Sequence, residues 1–224
     1  MIYKTPYSIS HELLSQSIAA IPFTANKITL NYPTGEFFYD RWEIKDEYRG
    51  TIWDTVLNHL PSNKGEARLI RLIPGTCYMS HADIDDRWHL SLVGNRSYLI
   101  DLDEDKMHKL DNDGCWYTMD AGCIHSAVNF GDIDRVQLVV RQLLPVKMLQ
   151  NPVNVKIESN NDRHDYRYMF DELVSPWLNR KSKQGFIHNF KCIDGVVYCT
   201  MNSASADELC GMMPYDFRIT VSSI

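Results

Sequence analysis

No stretch of this 224-residue chain approaches the ~20 consecutive apolar residues of a membrane-spanning helix, so a helical membrane protein is not expected. The first residues, MIYKTPYSIS, lack the apolar core of a secretory signal. Basic residues are in the minority, 23 Lys and Arg against 29 Asp and Glu for a net charge of −6, so no basic stripe is available for nucleic acid. The six cysteines contain no C-x-x-C and no zinc-like pairing. They are expected as buried thiols of a reducing compartment, with Cys192 and Cys199 the pair to examine for a bridge. Internal repeats and low-complexity segments are also absent. These absences make a cytoplasmic enzyme the simplest reading.

Hydrophobic residues make up 44%, enough for a sizeable core, and the length suits one large β domain or a domain with a modest extension. Residues 10–20 have the pattern of an amphipathic helix opened by Ser10, with Leu13, Leu14 and Ile18 on one side. Strands are expected at Ile28–Tyr32 and Phe37–Tyr39 around the turn Pro33-Thr34-Gly35. A second helix is expected over 47–60, where Trp53, Val56, Leu57 and Leu60 recur at helical spacing.

From Ala67 the texture changes to short apolar runs: 67–73, 76–82, 87–93, 97–102, 107–110, 115–119, 123–128 and 135–144. Gly94-Asn95, Asn112-Asp113-Gly114 and Gly131-Asp132 punctuate them as hairpin turns. Eight such strands imply a mainly β fold, a double-stranded β-helix of the jelly-roll, cupin-like kind with flanking helices. Alternation assigns the faces: Arg87, His89, Ser91 and Val93 oppose Trp88, Leu90 and Leu92, and Arg135, Gln137 and Val139 oppose Val136, Leu138 and Val140. The polar sets are costly to bury unless they face a polar cavity.

Composition changes at Asn151-Pro152. Residues 158–165 are polar and expected as a loop or a helix entry, Tyr166–Leu178 has helical character, Lys191–Thr200 forms a hairpin around Asp194-Gly195, and Phe217–Val221 a last strand. The expected division is 1–149 for the β-helix with its N-terminal helices and 150–224 for a small α+β extension. That extension could form a homodimer contact or part of a substrate lid.

One constellation carries chemistry. His81-Ala82-Asp83 followed by His125 has the ligand types of a 2-His-1-carboxylate facial triad, which leaves positions open on Fe(II) for a co-substrate and O₂. On an extended strand, His81 and Asp83 share a face. Arg135, ten residues after His125, suits the far carboxylate of 2-oxoglutarate, because a guanidinium grips carboxylates with two parallel donors.

The stretches PGTCYMSHAD (74–83), RWHLSL (87–92) and WYTMDAGCIHSAVNFGDIDRVQLVV (116–140) resemble the aspartyl/asparaginyl β-hydroxylase family, within it the branch of proline cis-hydroxylases. The resemblance covers roughly residues 66–144. It implies that His81, Asp83 and His125 hold iron, that Arg135 holds the distal carboxylate of 2-oxoglutarate, and that Arg87 and His89 lie near its metal-binding end. Asp83 is present although some members lack the metal carboxylate. Gln137 stands where a His is expected, a departure that bears on the substrate pocket.

The expected activity is therefore hydroxylation of a C–H bond in an amino acid or an amino-acid residue of Pro, Asp or Asn type, dependent on Fe(II), 2-oxoglutarate and O₂. Two alternatives are a metal-holding sensor without turnover, for which Arg135 and Arg87 would be superfluous, and another cupin metalloenzyme, which would more often use additional His ligands. Asn129 is expected to orient a turn or a ligand-bearing strand, Ser126 to support the site or be incidental, and Trp116 to sit in the barrel core. His108, His164 and the acidic run Asp101, Asp103, Glu104 and Asp105 are expected to be solvated.

Overall fold

In a computed structural model, residues 2–22, 25–160, 170–213 and 217–224 are described. The chain opens with β1 (Ile2–Ser8) and α1 (His11–Ala19), then β2 (Lys27–Thr29), β3 (Asn31–Pro33), β4 (Trp42–Ile44) and α2 (Ile52–Leu57). Eight strands follow: β5 (Lys64–Leu72), β6 (Thr76–Cys77), β7 (Arg87–Val93), β8 (Ser97–Asp101), β9 (Lys106–His108), β10 (Cys115–Met119), β11 (His125–Asn129) and β12 (Arg135–Gln142). Their pairing is nested: β5 with β12, β6 with β11, β7 with β10, β8 with β9, all antiparallel. A long hairpin rolled up this way, closed by β7–β12 and β8–β11, is a jelly roll. One sheet runs β1-β10-β7-β12-β5-β2 and the facing one β6-β11-β8-β9. The fold is mainly β with a double-stranded β-helix core, as the run spacing implies.

The expected alternation organises the larger sheet. Trp88, Leu90, Leu92, Trp116, Val136, Leu138 and Val140 form its outer face and pack beneath α1 and α2, joined by Leu14, Trp53, Val56, Leu57 and Leu60. Leu90, Leu138 and Val140 are fully buried, each contributing ~1.5–3 kcal/mol through apolar burial. Ser10 caps α1 by accepting a hydrogen bond from the Leu13 amide. Inside the barrel, Leu72, Leu99, Leu110, Tyr117 and Met119 close one end with apolar packing. The other end is polar.

Several expectations need correction. The strand foreseen at 76–82 stops at Cys77; His81 rejoins only as an isolated bridge to His125, and Asp83 lies in the loop beyond. Strand geometry therefore does not align the His-x-Asp pair. Val93 packs on the outer core, because the β7–β12 register slips between Val136 and Gln137. Phe37–Tyr39 is a turn: the Tyr39 and Asp40 amides both donate to the Glu36 carbonyl, and Trp42–Ile44 supplies the partner strand instead. The helix foreseen at 47–60 is broken at Gly50 (φ 68°) into a short 3-10 turn, Asp46–Tyr48, and α2.

The C-terminal part has its own sheet, ordered β14 (Ile187–Ile193), β15 (Val196–Asn202), β13 (Pro152–Ser159) and β16 (Phe217–Ser223). It is covered by α3 (Ser175–Lys183) and α4 (Ser203–Met212) over a core that includes Val155, Ile157, Trp177, Leu178, Ile187, Met201 and Leu209. The hairpin at Asp194-Gly195 is present, with both residues at positive φ (50° and 78°), as a tight two-residue turn demands. Glu158 and Ser159, foreseen as loop, belong to β13. The rest of that expected loop, the start of the helix at Tyr166, and His164 lie outside the described residues. A single π-helical turn, Phe170–Val174, leads into α3. None of the six cysteines is in a disulfide: Cys199 is buried while Cys192 is exposed, so this pair is not bridged. Among the described residues no helix is long and apolar enough to cross a membrane.

Candidate active site

The polar end of the barrel holds a cavity of ≈ 260 Å³ whose lining includes Lys27, Arg68, Tyr78, His81, Asp83, Arg87, His89, His125, Ser126 and Arg135. Its wall is the inner face of the larger sheet. Pairing sets Arg135 of β12 opposite Leu72, Gln137 opposite Ile70 and Ser91, and Val139 opposite Arg68 and His89.

His81, Asp83 and His125 converge at the mouth with one donor atom from each, all within 4.8 Å of one another. Reciprocal backbone bonds clamp the two histidines side by side, His81 N to His125 O at 3.0 Å and His125 N to His81 O at 2.9 Å. Each ring then donates Nδ1–H to a backbone carbonyl, His81 to Met79 at 2.9 Å and His125 to Cys123 at 2.8 Å. That fixes the tautomer and leaves both Nε2 lone pairs directed at Asp83, each 3.7 Å from its Oδ2. A dication bonds such donors at ~2.0–2.2 Å, so donors no more than about 4 Å apart can share one ion. The donor set is one that could hold a metal ion.

A buried ionic network supports the trio. Arg87 is buried and places Nη2 2.9 Å from Asp83 Oδ2, while its Nη1 bonds Asp85 at 2.6 Å. Asp85 is also held by Arg141 at 2.6 Å, and Arg141 reaches Glu66 at 3.1 Å. Burial pushes the Asp83 carboxyl up, but the charges of Arg87, His125, Arg141 and His81 outweigh it and hold the pKa at about 2. Burial depresses the His125 pKa to about 4. Both groups are thus in the ligand-competent form at neutral pH.

Deeper in the cavity, Gln137 Oε1 accepts from Arg135 Nη2 at 2.6 Å and lies 3.1 Å from His89 Nδ1. Burial lowers the pKa of Arg135 to about 10 and that of His89 to about 3. Arg135 Nε and His89 Nε2 are sealed from water without a hydrogen-bond partner. So is Arg68 Nε, whose nearest carboxylate, Glu66 at 3.5 Å, is taken up by Arg141. Orphaned buried polar atoms are rare and costly in a folded protein, and a catalytic role, a water or an ion is among the reasons for them.

Residues 51–145 match the model of a family described as aspartyl/asparaginyl beta-hydroxylase, a span that contains the whole barrel and the trio. The match covers less than half of the chain and likens the barrel segment to that family. No curated protein matches the chain. Among solved structures, CapF in complex with the inhibitor 3-isopropenyl-tropolone is 14% identical over 57% of this chain, with a TM-score of 0.32. This chain spans only 34% of the CapF chain. A sugar phosphate isomerase of the cupin superfamily from Silicibacter pomeroyi is 20% identical over 58% of this chain and 82% of its own, also with a TM-score of 0.32.

Within the barrel the six expected site residues line one cavity. The guanidinium of Arg87, expected beside the co-substrate, is engaged by Asp83 and Asp85. Ser126 donates to the Tyr78 carbonyl at 2.6 Å, fixing the approach to His81. Asn129 orients the turn as expected, donating to the Leu72 and Ile133 carbonyls and accepting from the Gly131 amide. Trp116 is fully buried in the core. In the acidic run Asp103 and Asp105 are exposed as expected, but Asp101 is buried, and Asp101, Glu104 and His108 bring donor atoms within 4.8 Å of one another. Glu104 there pairs with Lys106, and Asp101 accepts the Glu104 amide, which ties the β8–β9 turn together.

Sequence reasoning passed over Arg68, Lys27, Tyr78, Asp85 and Arg141. The alternation that placed Arg135 and Gln137 extends to Arg141 on the same face, and Glu66 and Arg68 form the matching series on β5. Asp85 and Tyr78 sit in loops, where no periodicity marks them.

Proposed function

We propose that this protein is an Fe(II)- and 2-oxoglutarate-dependent dioxygenase that hydroxylates a C–H bond of a small amino acid or amino-acid residue. His81, Asp83 and His125 would hold the iron. Bound there, Fe(II) with 2-oxoglutarate and O₂ supplies the C–H hydroxylation chemistry, with succinate and CO₂ as co-products. The observation that carries the reading is the orphaned Arg135 Nε in the same cavity as the trio. A metal site alone has no need of a buried guanidinium without a carboxylate partner.

Each residue has a task in this reading. Asp83 offsets the charge of the dication, and Arg87 keeps that carboxylate ionised and fixes its direction. Arg135 grips the distal carboxylate of the co-substrate, with Gln137 holding its Nη2. His89, neutral because it is buried, donates Nδ1–H to Gln137 and turns its Nε2 lone pair into the cavity. Arg68, with Lys27 from the edge strand, offers positive charge on the remaining wall for an anionic group of the substrate. The cavity volume lies just below the ~300–1,000 Å³ typical of drug-sized ligands, which favours small acids.

The test is a succinate-release screen with reconstituted iron, 2-oxoglutarate and O₂ across free amino acids and short peptides bearing Pro, Asp or Asn. One substrate should stimulate co-substrate turnover well above the uncoupled background and emerge heavier by one oxygen. Iron-loaded protein that never consumes 2-oxoglutarate would return it to the class of metal-holding sensors.

A further inference from the structure

The trio is braced from outside the segment shared with the hydroxylase family. Helix α3 (Ser175–Lys183) presents Ser175, Asn179 and Lys183 at i, i+4 and i+8, one stripe of a helix. Its other side, with Trp177 and Leu178, belongs to the C-terminal core. Ser175 and Asn179 are 5% and 1% exposed, so each needs a partner, and both partners are in the metal-ligand loop. Ser175 Oγ donates to the Ala82 carbonyl at 3.3 Å, and Asn179 Nδ2 to the Asp83 carbonyl at 3.0 Å. These carbonyls lie where the chain has left the sheet after the His81 bridge, so no ladder satisfies them.

The same helix reaches the second ligand-bearing loop. Lys183 Nζ lies 2.8 Å from both Asp86 and Asp120, spanning the loop that follows Asp83 and the one that leads into His125. Asp86 also accepts the Ala121 amide, and Asp120 the Gly122 amide. Gly122 packs so closely on Asn179 that a Cβ there would fall 2.5 Å from its side chain. One helix therefore touches both loops and ties them to each other.

We propose that α3 sets the spacing of the metal-ligand trio, with Asn179 and Lys183 as positioning residues. The inference rests on the trio holding a metal, as in the function proposed above. Groups that orient metal ligands typically account for 10–100-fold in metal affinity. Asn179 and Lys183 act on backbone and loop, not on the ligating atoms, so the lower end of that span, about tenfold each, is expected.

The experiment is calorimetric titration of full-length metal-free protein with Co(II) alone, together with the visible ligand-field spectrum of the Co(II) form. Asn179→Ala and Lys183→Met should each bind about tenfold more weakly with an altered band pattern, while Lys183→Arg, still able to bridge two carboxylates, should recover most of the affinity. Thermal melts of the metal-free variants separate weaker binding from loss of fold; if Asn179→Ala does not fold, the Lys183 pair decides. Wild-type affinity and spectrum in folded Lys183→Met would overturn the proposal while leaving the iron reading intact. Wild-type protein that takes up no Co(II) at the trio would sink both.

Discussion

Replacing Arg135 tests how the cavity recognises its co-substrate. The guanidinium is 2% exposed, donates to Gln137 Oε1, and keeps Nε without a partner. Among the described residues no carboxylate lies within ion-pair distance of it. A charge-assisted bond to a ligand carboxylate is worth ~1.5–3 kcal/mol, and every 1.4 kcal/mol is tenfold in affinity. Arg135→Met should therefore weaken 2-oxoglutarate binding by about 10–100-fold. Arg135→Lys should recover only part of this, because an ammonium lacks the two parallel donors. Iron affinity should stay within about twofold, because Arg135 makes no contact with the trio. The ligand-free protein should melt no lower than wild type, since a buried charge that nothing offsets has been removed. The assay is anaerobic calorimetry of 2-oxoglutarate into Fe(II)-loaded protein, with metal affinity and melting temperature measured in parallel. Unchanged co-substrate affinity in a folded Arg135→Met variant refutes the reasoning, and so does loss of iron.

Three further outcomes are expected. Asp83→Ala removes the one anionic ligand, so metal affinity should fall by more than the 10–100-fold typical of groups that only orient ligands, and Asp83→Glu should also bind poorly because the extra methylene displaces the carboxylate; metal titration at wild-type affinity would contradict the assignment. His89 has a folded pKa of about 3 against 6.5 in the unfolded chain, so its contribution to stability is complete above pH 6.5 and is lost as pH falls towards 3. At pH 5 that loss is at most ~2 kcal/mol, so metal-free His89→Gln should show a shallower fall in denaturation free energy between pH 7 and 5, and an unchanged slope would count against a neutral buried imidazole. Arg68→Gln should raise the KM of an acidic substrate about tenfold and leave that of 2-oxoglutarate unchanged; parallel changes in both would remove Arg68 from the substrate wall.

The barrel was legible because its strands are short, alternating and separated by turn residues. Trp88-Leu90-Leu92 against Arg87-His89 is a period-2 signal that only a two-faced strand produces, and β7 falls at the foreseen residues. The trio was legible for a different reason: its donor types mark it along the chain, and the fold brings them within 4.8 Å of one another. Elsewhere local pattern competed with long-range contacts. Phe37–Tyr39 has strand-like residues, but the amides after Glu36 fold back on its carbonyl. His81 to Asp83 looked extended, yet its alignment comes from the His125 bridge and from Arg87, contacts that spacing along the chain does not encode. The role of α3 was hidden for the same reason: Ser175, Asn179 and Lys183 form an ordinary polar stripe until the fold brings two loops against it.

The central claim is that one cavity holds iron and 2-oxoglutarate together. Anaerobic addition of 2-oxoglutarate to the Fe(II)-loaded protein, followed by visible absorption, tests it most directly. A charge-transfer band should develop only when both are present, saturate at one equivalent, and be absent in Asp83→Ala. Saturating 2-oxoglutarate that leaves the spectrum of the iron-loaded protein unchanged would contradict the account.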